Sequence, residues 1–262
     1  MIDFHTHIIP TVDDGSRSVE ETFGLLSEAK EAGFDKIILT PHYMEPYYIS
    51  AKSSNNSWLK ALNVGLSAKK IDLKLYLANE VYITDDIIRL LKDEEISSIN
   101  DTKYLLMELP LNAKPMNLYS VIFSLQKQGY IPILAHPERY SFVQSEPELA
   151  YQLVKKGVLI QSNFGSIVGQ YGKKAQIIIT KLLENNMVHF LGSDVHIINS
   201  TYIEISEAFK KIKKVIGEEK FQEITCINPE LVLNNKNINT HEPTPIKFSF
   251  KEKLALKRDS DK

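Results

Sequence analysis

Short β-branched runs alternate with amphipathic segments along the chain, and this alternation constrains the fold more than any other feature. Seven runs are strand candidates: Ile2–His5, Lys36–Pro41, Leu73–Asn79, Tyr104–Glu108, Ile131–Ala135, Val158–Ser162 and Val188–Gly192. The segments between them carry helix punctuation. In SVEETFGLLSEAKEAG, Ser18 is a candidate N-cap, Glu21 follows it, and Gly33 stands at the C-terminal end. Strand–helix–strand units at this spacing predict right-handed crossovers and a parallel sheet.

Seven such units without a break in composition predict a single α/β domain. We expect a distorted (β/α)7 barrel that resembles a TIM barrel lacking one strand. An open doubly wound sheet is the alternative. We expect residues 1–239 to form the barrel. Residues 240–262 lack the alternation of strands and helices, and we expect them to form a C-terminal extension without regular structure, an extended tail.

Composition limits the classes of protein to which the chain can belong. Its 262 residues, 43% of them hydrophobic, suit one large domain. The net charge of -2 gives no electrostatic reason to expect nucleic-acid binding. No signal peptide is visible, and no apolar run is long enough to span a bilayer. The single cysteine, Cys226, excludes an internal disulfide, which favours the cytoplasm. We expect Cys226 to be a small buried residue rather than a nucleophile.

Ionisable side chains of the metal-ligand type stand at the ends of the predicted strands. They are His5, His7, His42, Glu80, Glu108, His136, Asp194 and His196. The C-terminal ends of parallel barrel strands meet at one face, so we expect these side chains to lie together. His5 and His7 share one face of their strand because side chains alternate. An aspartate of the loop that follows adds a ninth candidate, and the sequence alone leaves open whether it is Asp13 or Asp14.

This set of side chains predicts a particular chemistry. Imidazoles and carboxylates without a thiolate suit Mn²⁺, Fe²⁺ or Zn²⁺. Nine candidate ligands exceed the number that one ion needs and therefore predict two or three ions. Clustered divalent ions generate hydroxide at neutral pH and stabilise the charge of an in-line phosphoryl displacement. The sequence therefore predicts hydrolysis of a phosphate ester.

Several motifs occur in order along the chain: DFHTHIIPTVDDGSRSVEET, TPH, NEV, LMELP, AHPERY, QSNFGSIVGQYG and GSDVH. Together they resemble the PHP (polymerase and histidinol phosphatase) superfamily, and most closely its bacterial protein-tyrosine phosphatases of capsule and exopolysaccharide loci. The resemblance extends from residue 1 to about residue 235. It implies the PHP fold, three metal ions that are usually manganese, and hydrolysis of phosphotyrosine on a partner protein, a polysaccharide-assembly tyrosine kinase.

The resemblance also implies roles for individual residues. It places a first metal on His5, His7, Glu80 and Asp194. It places a second on Glu80, Glu108 and His136, and a third on Asp14, His42 and His196. Arg139 of the HPERY motif matches the arginine that holds the phosphate, because a guanidinium fork fits two phosphate oxygens. Arg17 is a second candidate, with a solvated surface charge as the alternative.

The chain departs from the family pattern on the substrate side. No arginine or lysine occurs between Asp194 and Lys210, where the family commonly has a second substrate-binding arginine. Tyr43 replaces a common second histidine and opens a tyrosine-rich loop. After the sixth strand, the glycines of NFGSIVGQYG predict either a flexible loop at the border of the substrate pocket or plain turns, and the sequence does not rank the two.

Two alternative functions therefore stay open beside the protein-tyrosine phosphatase. The first is a small-molecule phosphatase of the histidinol-phosphatase type. The second is a catalytically weakened metal-binding regulator, for which the missing arginine is the one argument.

Overall fold

A computed structural model of the chain describes residues 1–258. Within this range the chain forms a mixed α/β fold in one domain. The strands are β1 Ile2–Thr6, β2 Lys36–Leu39, β3 His42–Met44, β4 Tyr48–Ile49, β5 Lys74–Leu77, β6 Glu80–Tyr82, β7 Tyr104–Glu108, β8 Ile131–Ala135, β9 Leu159–Asn163 and β10 Phe190–Gly192. The helices are α1 Val19–Glu31, α2 Lys52–Lys69, α3 Ile87–Lys92, α4 Leu118–Lys127, α5 Ser141–Ser145, α6 Glu148–Lys155, α7 Phe164–Val168, α8 Gly172–Glu184, α9 Ile205–Gln222, α10 Asn228–Leu233 and α11 Phe250–Arg258.

The strands pair in two sheets, with the orders β1-β2-β5 and β10-β9-β8-β7-β6-β3-β4. All neighbouring strands are parallel except the antiparallel pair β3 and β4. The sheets are connected because β2 continues into β3 and β5 continues into β6, each after two residues. Beyond β10, the Asp194 N–H donates to the His5 carbonyl at 2.8 Å. The His7 N–H in turn donates to the Val195 carbonyl at 3.0 Å, so β1 and the end of β10 are hydrogen-bonded as well.

Asn79 stabilises the interruption between β5 and β6. Its fully buried side chain donates to the carbonyls of Pro41 and Ser50 at 3.2 and 2.9 Å and accepts the Ser97 N–H at 2.8 Å. These bonds hold the backbone of Pro41, Ser50 and Ser97 around the point where the strands are interrupted. Asn79 therefore stabilises the interruption, and the interruption sets the direction of the Glu80 side chain at the start of β6.

A register shift in β1 turns consecutive residues toward the inner face of the sheet. The pairing of β1 with β2 changes register between Asp3 and Thr6. As a result, Phe4 stacks on Phe190 at 4.1 Å, and the neighbouring His5 also lies inside. Bulges of this kind re-aim side chains next to functional sites.

Apolar packing occurs on both faces of the strands. Ile2, Phe4, Ile38, Leu106 and Phe190 belong to a cluster on the inner face. A larger cluster lies between the strands and the helices. The C-terminal ends of the strands are left to polar side chains, among them His5, Glu80 and His136.

The structure bears out the positions of the seven predicted strands and changes several other predictions. β2 and β5 end two residues before the second and third predicted strands do, and the chain then resumes as the further strands β3 and β6. The predicted flexible loop after β9 is instead the short helix α7 followed by α8. Cys226 is partly exposed rather than buried, and its thiol donates to Gln222 at 3.2 Å.

The prediction of an extended tail was wrong for residues 250–258. They form α11, whose Glu252 pairs with Lys181 of α8 at 3.0 Å. Residues 259–262 of the predicted extension lie outside the described residues. Through residue 258, no helix combines the length and apolarity needed to cross a membrane.

His189 gives the fold a testable dependence on pH. Its buried ring accepts the Ile160 N–H through Nδ1 at 3.0 Å, and burial lowers its pKa to about 4 from the ordinary 6.5. Between pH 6.5 and pH 4 the unfolded chain binds a proton at His189 that the folded chain does not. The stability that comes from the neutral buried ring is therefore fully present above pH 6.5 and is lost as the pH falls toward 4. We expect His189 to account for about 2 kcal/mol of the stability lost between pH 7 and pH 5. Urea unfolding with EDTA present measures it.

The matched variant is His189→Asn, whose amide oxygen can also accept a hydrogen bond but does not titrate. Its stability should fall less between pH 7 and pH 5 than that of the unchanged chain. Equal losses in the two proteins would show that His189 is not the source.

Candidate metal centre

The side chains of the nine predicted ligands meet at the C-terminal ends of the strands. A cavity of about 450 Å³ opens there, and its lining includes Asp14, His42, Glu108, His136, Asp194 and His196. His5, His7 and Glu80 lie beneath this lining and are fully buried. The ends of six strands and the loop after β1 therefore supply one cluster of imidazoles and carboxylates.

His5, His7, Glu80 and Asp194 form the deepest group. The Nε2 atoms of His5 and His7 are 3.0 Å apart and lie 3.1 and 3.2 Å from Glu80 Oε2. Asp194 Oδ1 is 3.7 Å from His5 Nε2 and 3.4 Å from His7 Nε2. Four potential ligand atoms on four side chains thus point at one small volume.

Glu80 also belongs to a second group with Glu108 and His136. His136 Nε2 is 2.9 Å from Glu80 Oε1 and 3.8 Å from Glu108 Oε1. His42 Nδ1 lies 3.0 Å from Glu80 Oε2 and 3.7 Å from Glu108 Oε2. The two carboxylate oxygens of Glu80 therefore face different groups, as a bridging ligand requires.

Asp14, His42 and His196 form a third group nearer to solvent. Asp14 Oδ1 lies 3.5 Å from the Nε2 atoms of both histidines. The His7 ring stacks on the His196 ring with 4.0 Å between centroids. The side chain of Asp14 is half-exposed, so this group lies at the mouth of the cavity.

Buried atoms without a hydrogen-bond partner indicate whether these residues suit metal ions. His42 Nδ1, Glu80 Oε2 and His136 Nδ1 are buried without a hydrogen-bond partner among the described residues. Such atoms are costly unless something else satisfies them. Two of these atoms, His42 Nδ1 and Glu80 Oε2, lie 3.0 Å apart, and an unpaired nitrogen and oxygen so close together suit a divalent cation. The absence of sulfur agrees with Mn²⁺, Fe²⁺ or Zn²⁺.

Asp13 has a role different from that of Asp14. Its buried carboxylate accepts the His7 Nδ1–H at 2.8 Å, the Gly15 N–H at 3.0 Å and the His42 N–H at 3.0 Å. With its Nδ1 protonated, His7 presents a bare Nε2 to the cluster. Gly15 permits this contact, because a Cβ there would lie 2.0 Å from the His7 carbonyl oxygen.

The cluster holds ionisable side chains close together and away from water. Burial raises the pKa of Glu108 to about 9, and the neighbouring charges of Glu80 and Asp194 add to the effect. Burial also opposes ionisation of Glu80, but the nearby histidines outweigh it and hold the pKa of Glu80 well below its ordinary value. Burial and the charge of His7 lower the pKa of His42 to about 4. Carboxylates crowded in this way favour a bound cation.

The two predicted arginines lie in different surroundings. Arg139 lines the cavity, donates from Nη1 to Asp194 Oδ2 at 2.6 Å and stacks on Tyr171 at 4.5 Å. Arg17 is exposed, does not line the cavity, and donates its backbone N–H to Glu21 at the start of α1. The structure thus brings Arg139, but not Arg17, into the cluster.

Several cavity residues were missed in the sequence. Tyr48 stacks on His42 with 5.7 Å between centroids, and Tyr82 and Leu111 line the same cavity. A neighbouring cavity of about 300 Å³ shares Arg139 and is also lined by Tyr171. The sequence offered a signal for Tyr48 alone, because Tyr48 belongs to the tyrosine-rich loop. Tyr82 and Tyr171 look like ordinary strand and loop residues.

Comparison with known protein families identifies the family of the chain. A family model described as "Capsular polysaccharide synthesis, CpsB/CapC" matches residues 1–234. The chain belongs to the CpsB/CapC family. The putative tyrosine-protein phosphatase CapC of Staphylococcus aureus is 34% identical over 244 residues, which cover 93% of this chain and 95% of that protein. The tyrosine-protein phosphatase YwqE of Bacillus subtilis is 34% identical over 247 residues, which cover 94% of this chain and 97% of that protein.

Solved structures agree with the assignment to the CpsB/CapC family. One from a study of YwqE of Bacillus subtilis and CpsB of Streptococcus pneumoniae, described there as unique metal-dependent tyrosine phosphatases, has a TM-score of 0.90 and 33% identity. It covers 95% of this chain and 100% of that chain. A histidinol phosphate phosphatase from Lactococcus lactis has a TM-score of 0.55 and 15% identity, covers 82% of this chain and 93% of that chain, and shows a likeness of fold alone. The resemblance found in the sequence is confirmed.

The different surroundings of Asp13 and Asp14 predict different effects on the metal-free protein. Asp13→Asn should lower the free energy of unfolding by about 1.5–3 kcal/mol, because it removes buried charge-assisted hydrogen bonds. Asp14→Asn should change it by about 0.5 kcal/mol or less, since Asp14 is half-exposed. Urea unfolding in EDTA measures both. Equal losses in the two variants would contradict the assignment of Asp13 as the supporting carboxylate.

Proposed function

We propose that this chain is a metal-dependent protein-tyrosine phosphatase that dephosphorylates a tyrosine kinase of capsular or exopolysaccharide assembly. One observation supports this above all: nine imidazole and carboxylate side chains converge on one cavity whose edge carries the guanidinium of Arg139. Relatives matched over nearly their whole length are named tyrosine-protein phosphatases, which supports the substrate class.

The proposed cofactors are three divalent ions, with manganese preferred and iron or zinc as alternatives. The first ion would lie on His5, His7, Glu80 and Asp194. The second would lie on Glu80, Glu108 and His136, and the third on Asp14, His42 and His196. Three groups of potential ligand atoms support this division, and Glu80 joins the first two. His42 contacts the second group as well as the third, so it is a further candidate for the second ion.

The proposed architecture is a distorted (β/α)7 barrel over residues 1–239, with residues 240–262 as a C-terminal extension. Counting β2 with β3 and β5 with β6 gives seven parallel strands, and the hydrogen bonds between β1 and the end of β10 support closure. The family match to residue 234 supports the boundary. The cytoplasm stays the predicted compartment, on the evidence of the single unpaired cysteine.

The protein's own residues bind and orient the phosphoryl group in this proposal. When bound, the ions supply a hydroxide nucleophile and neutralise charge on phosphate oxygens. Arg139 is held by Asp194 and Tyr171, and its other N–H groups are available for phosphate oxygens. Tyr48 and Tyr82 offer aromatic surface on the cavity wall to the tyrosyl ring of the substrate.

A comparison of substrates tests the proposal. The full chain with Mn²⁺ is assayed on a phosphotyrosyl peptide, on p-nitrophenyl phosphate and on histidinol phosphate. We expect the highest kcat/KM for the phosphotyrosyl peptide. A higher value for histidinol phosphate would favour a small-molecule phosphatase, and no turnover of any of the three would favour a metal-binding regulator.

Chelation and thiol alkylation should have opposite effects. EDTA should abolish hydrolysis of p-nitrophenyl phosphate, and added Mn²⁺ should restore it. Iodoacetamide should leave the activity unchanged, because Cys226 does not line the metal cavity. The same assay, run once with each reagent, distinguishes a metal-dependent mechanism from one that uses a cysteine nucleophile. Loss of activity on alkylation would indicate the cysteine nucleophile.

Two substitutions should separate metal binding from phosphate recognition. His136→Ala should lower both the metal content and the activity, because His136 Nε2 belongs to the second group. Arg139→Ala should retain the metal and lower kcat/KM by about 10²–10³-fold, as loss of one charge-stabilising donor does. Elemental analysis and kinetics on the same preparations check this. Loss of metal from Arg139→Ala would show that Arg139 acts only by supporting Asp194.

A further inference from the structure

Two buried amide side chains of β9 stand directly beside the deepest ligand group. Gln161 and Asn163 are fully buried, and they lie on the same face of the sheet because residues two apart on a strand share a face. His5 and Asp194 contact them on this face. Two amides in a buried strand are costly unless every polar atom has a partner. Their hydrogen bonds therefore indicate what they do.

The orientation of the Gln161 amide is fixed by its partners. Its Nε2 donates to the Ser162 carbonyl and to Asn163 Oδ1, both at 2.9 Å. A backbone carbonyl can only accept, so the Gln161 nitrogen must face Ser162 and Gln161 Oε1 must face His5 Nδ1, 2.8 Å away. It follows that His5 carries its proton on Nδ1 and presents a bare Nε2 to His7 and Glu80.

Asn163 orients the carboxylate of Asp194 in a similar way. Because its Oδ1 accepts from Gln161, its Nδ2 is left to donate, and it does so to Asp194 Oδ2 at 2.6 Å. Arg139 donates to the same oxygen. Asp194 Oδ1 is therefore the oxygen that remains for the ligand group, and it is the one that faces His5 and His7.

The surrounding backbone is shaped to hold this pair of amides. Glu138 accepts the Asn163 N–H and the Ser166 hydroxyl, both at 2.8 Å, which anchors the end of β9. Gly192 lies against the same site. A Cβ at position 192 would lie 2.6 Å from His5 Cβ and 3.0 Å from Gln161 Nε2.

We propose that Gln161 and Asn163 are positioning residues that preform the first metal position, Gln161 by fixing the ring tautomer of His5 and Asn163 by fixing the carboxylate orientation of Asp194. The proposal rests on the metal-dependent function proposed above. Groups that orient metal ligands in this way are typically worth 10–100-fold in metal affinity.

The test uses the full chain labelled with ¹⁵N-histidine and titrated with Zn²⁺, which is diamagnetic. The ring ¹⁵N signals of His5 report both the tautomer and the occupancy of this one position. In the unchanged protein we expect the proton on Nδ1 and Zn²⁺ on Nε2. Zn²⁺ bound through His5 Nδ1 would overturn the proposal without any variant.

Variants separate the two roles. Gln161→Leu should weaken Zn²⁺ binding at His5 by about 10–100-fold and remove the preference for the Nδ1–H tautomer. Gln161→Glu keeps an acceptor and should restore the tautomer and part of the affinity. Asn163→Leu should weaken binding but leave the His5 tautomer unchanged. Unchanged affinity in both leucine variants would overturn the proposal.

Ser162→Ala is the matched control, since Ser162 is equally buried between the two amides and the substitution keeps the backbone carbonyl that accepts from Gln161. It should leave Zn²⁺ binding unchanged, and an equal loss there would contradict a specific role for the amides. If a leucine variant fails to fold, the spectra of the unchanged protein and of Gln161→Glu still decide. The readouts do not depend on turnover, so an inactive chain with the expected spectra would contradict only the proposed function.

Discussion

The organisation of the site depends on Glu80, a fully buried carboxylate surrounded by histidine nitrogens. One of its oxygens lies about 3 Å from nitrogens of His5, His7 and His42 without a hydrogen bond, and the other faces His136. An ionised carboxylate in this position needs compensating positive charge. Bound divalent cations would provide that charge, and they would also satisfy the unpaired Oε2 of Glu80. The interruption between β5 and β6, stabilised by Asn79, sets where Glu80 points.

The surrounding polar residues divide into those that face the cluster and those that orient it. Asp13 holds His7 and the backbone of His42, and Gln161 holds His5. In both His7 and His5, Nδ1 donates to an acceptor, so that Nε2 is left bare. This common arrangement gives a physical reason for the paired aspartates after β1 and for the amides in β9. A site built in this way is preformed before a metal ion arrives, which lowers the cost of binding.

The sequence carried enough information to predict the strand ends and the residues at them. β7 and β8 have the predicted bounds, and His136 and Glu108 follow or end them as expected. This succeeds because parallel strands bring their C-terminal ends together, so order along the chain translates into position in space. Membership of the family was visible for the same reason, since the motifs occur at those ends.

Other features could not be predicted because they depend on tertiary contacts. The register shift in β1 and the interruption before Glu80 leave no periodicity signal. The choice between Asp13 and Asp14 depends on which carboxylate reaches His7, and that depends on a tight approach at Gly15. The helix α11 has a weak pattern of its own and is placed by its contact with α8. Arg17 lies near the ligands in sequence, but the turn into α1 leaves it exposed.

The most direct measurement is a crystal structure of the chain grown with Mn²⁺, with an anomalous difference map collected near the manganese edge. The account predicts peaks within coordination distance of the three ligand groups, with Glu80 bridging two of them. A map without peaks in this cavity, or with manganese bound only elsewhere on the surface, would contradict it.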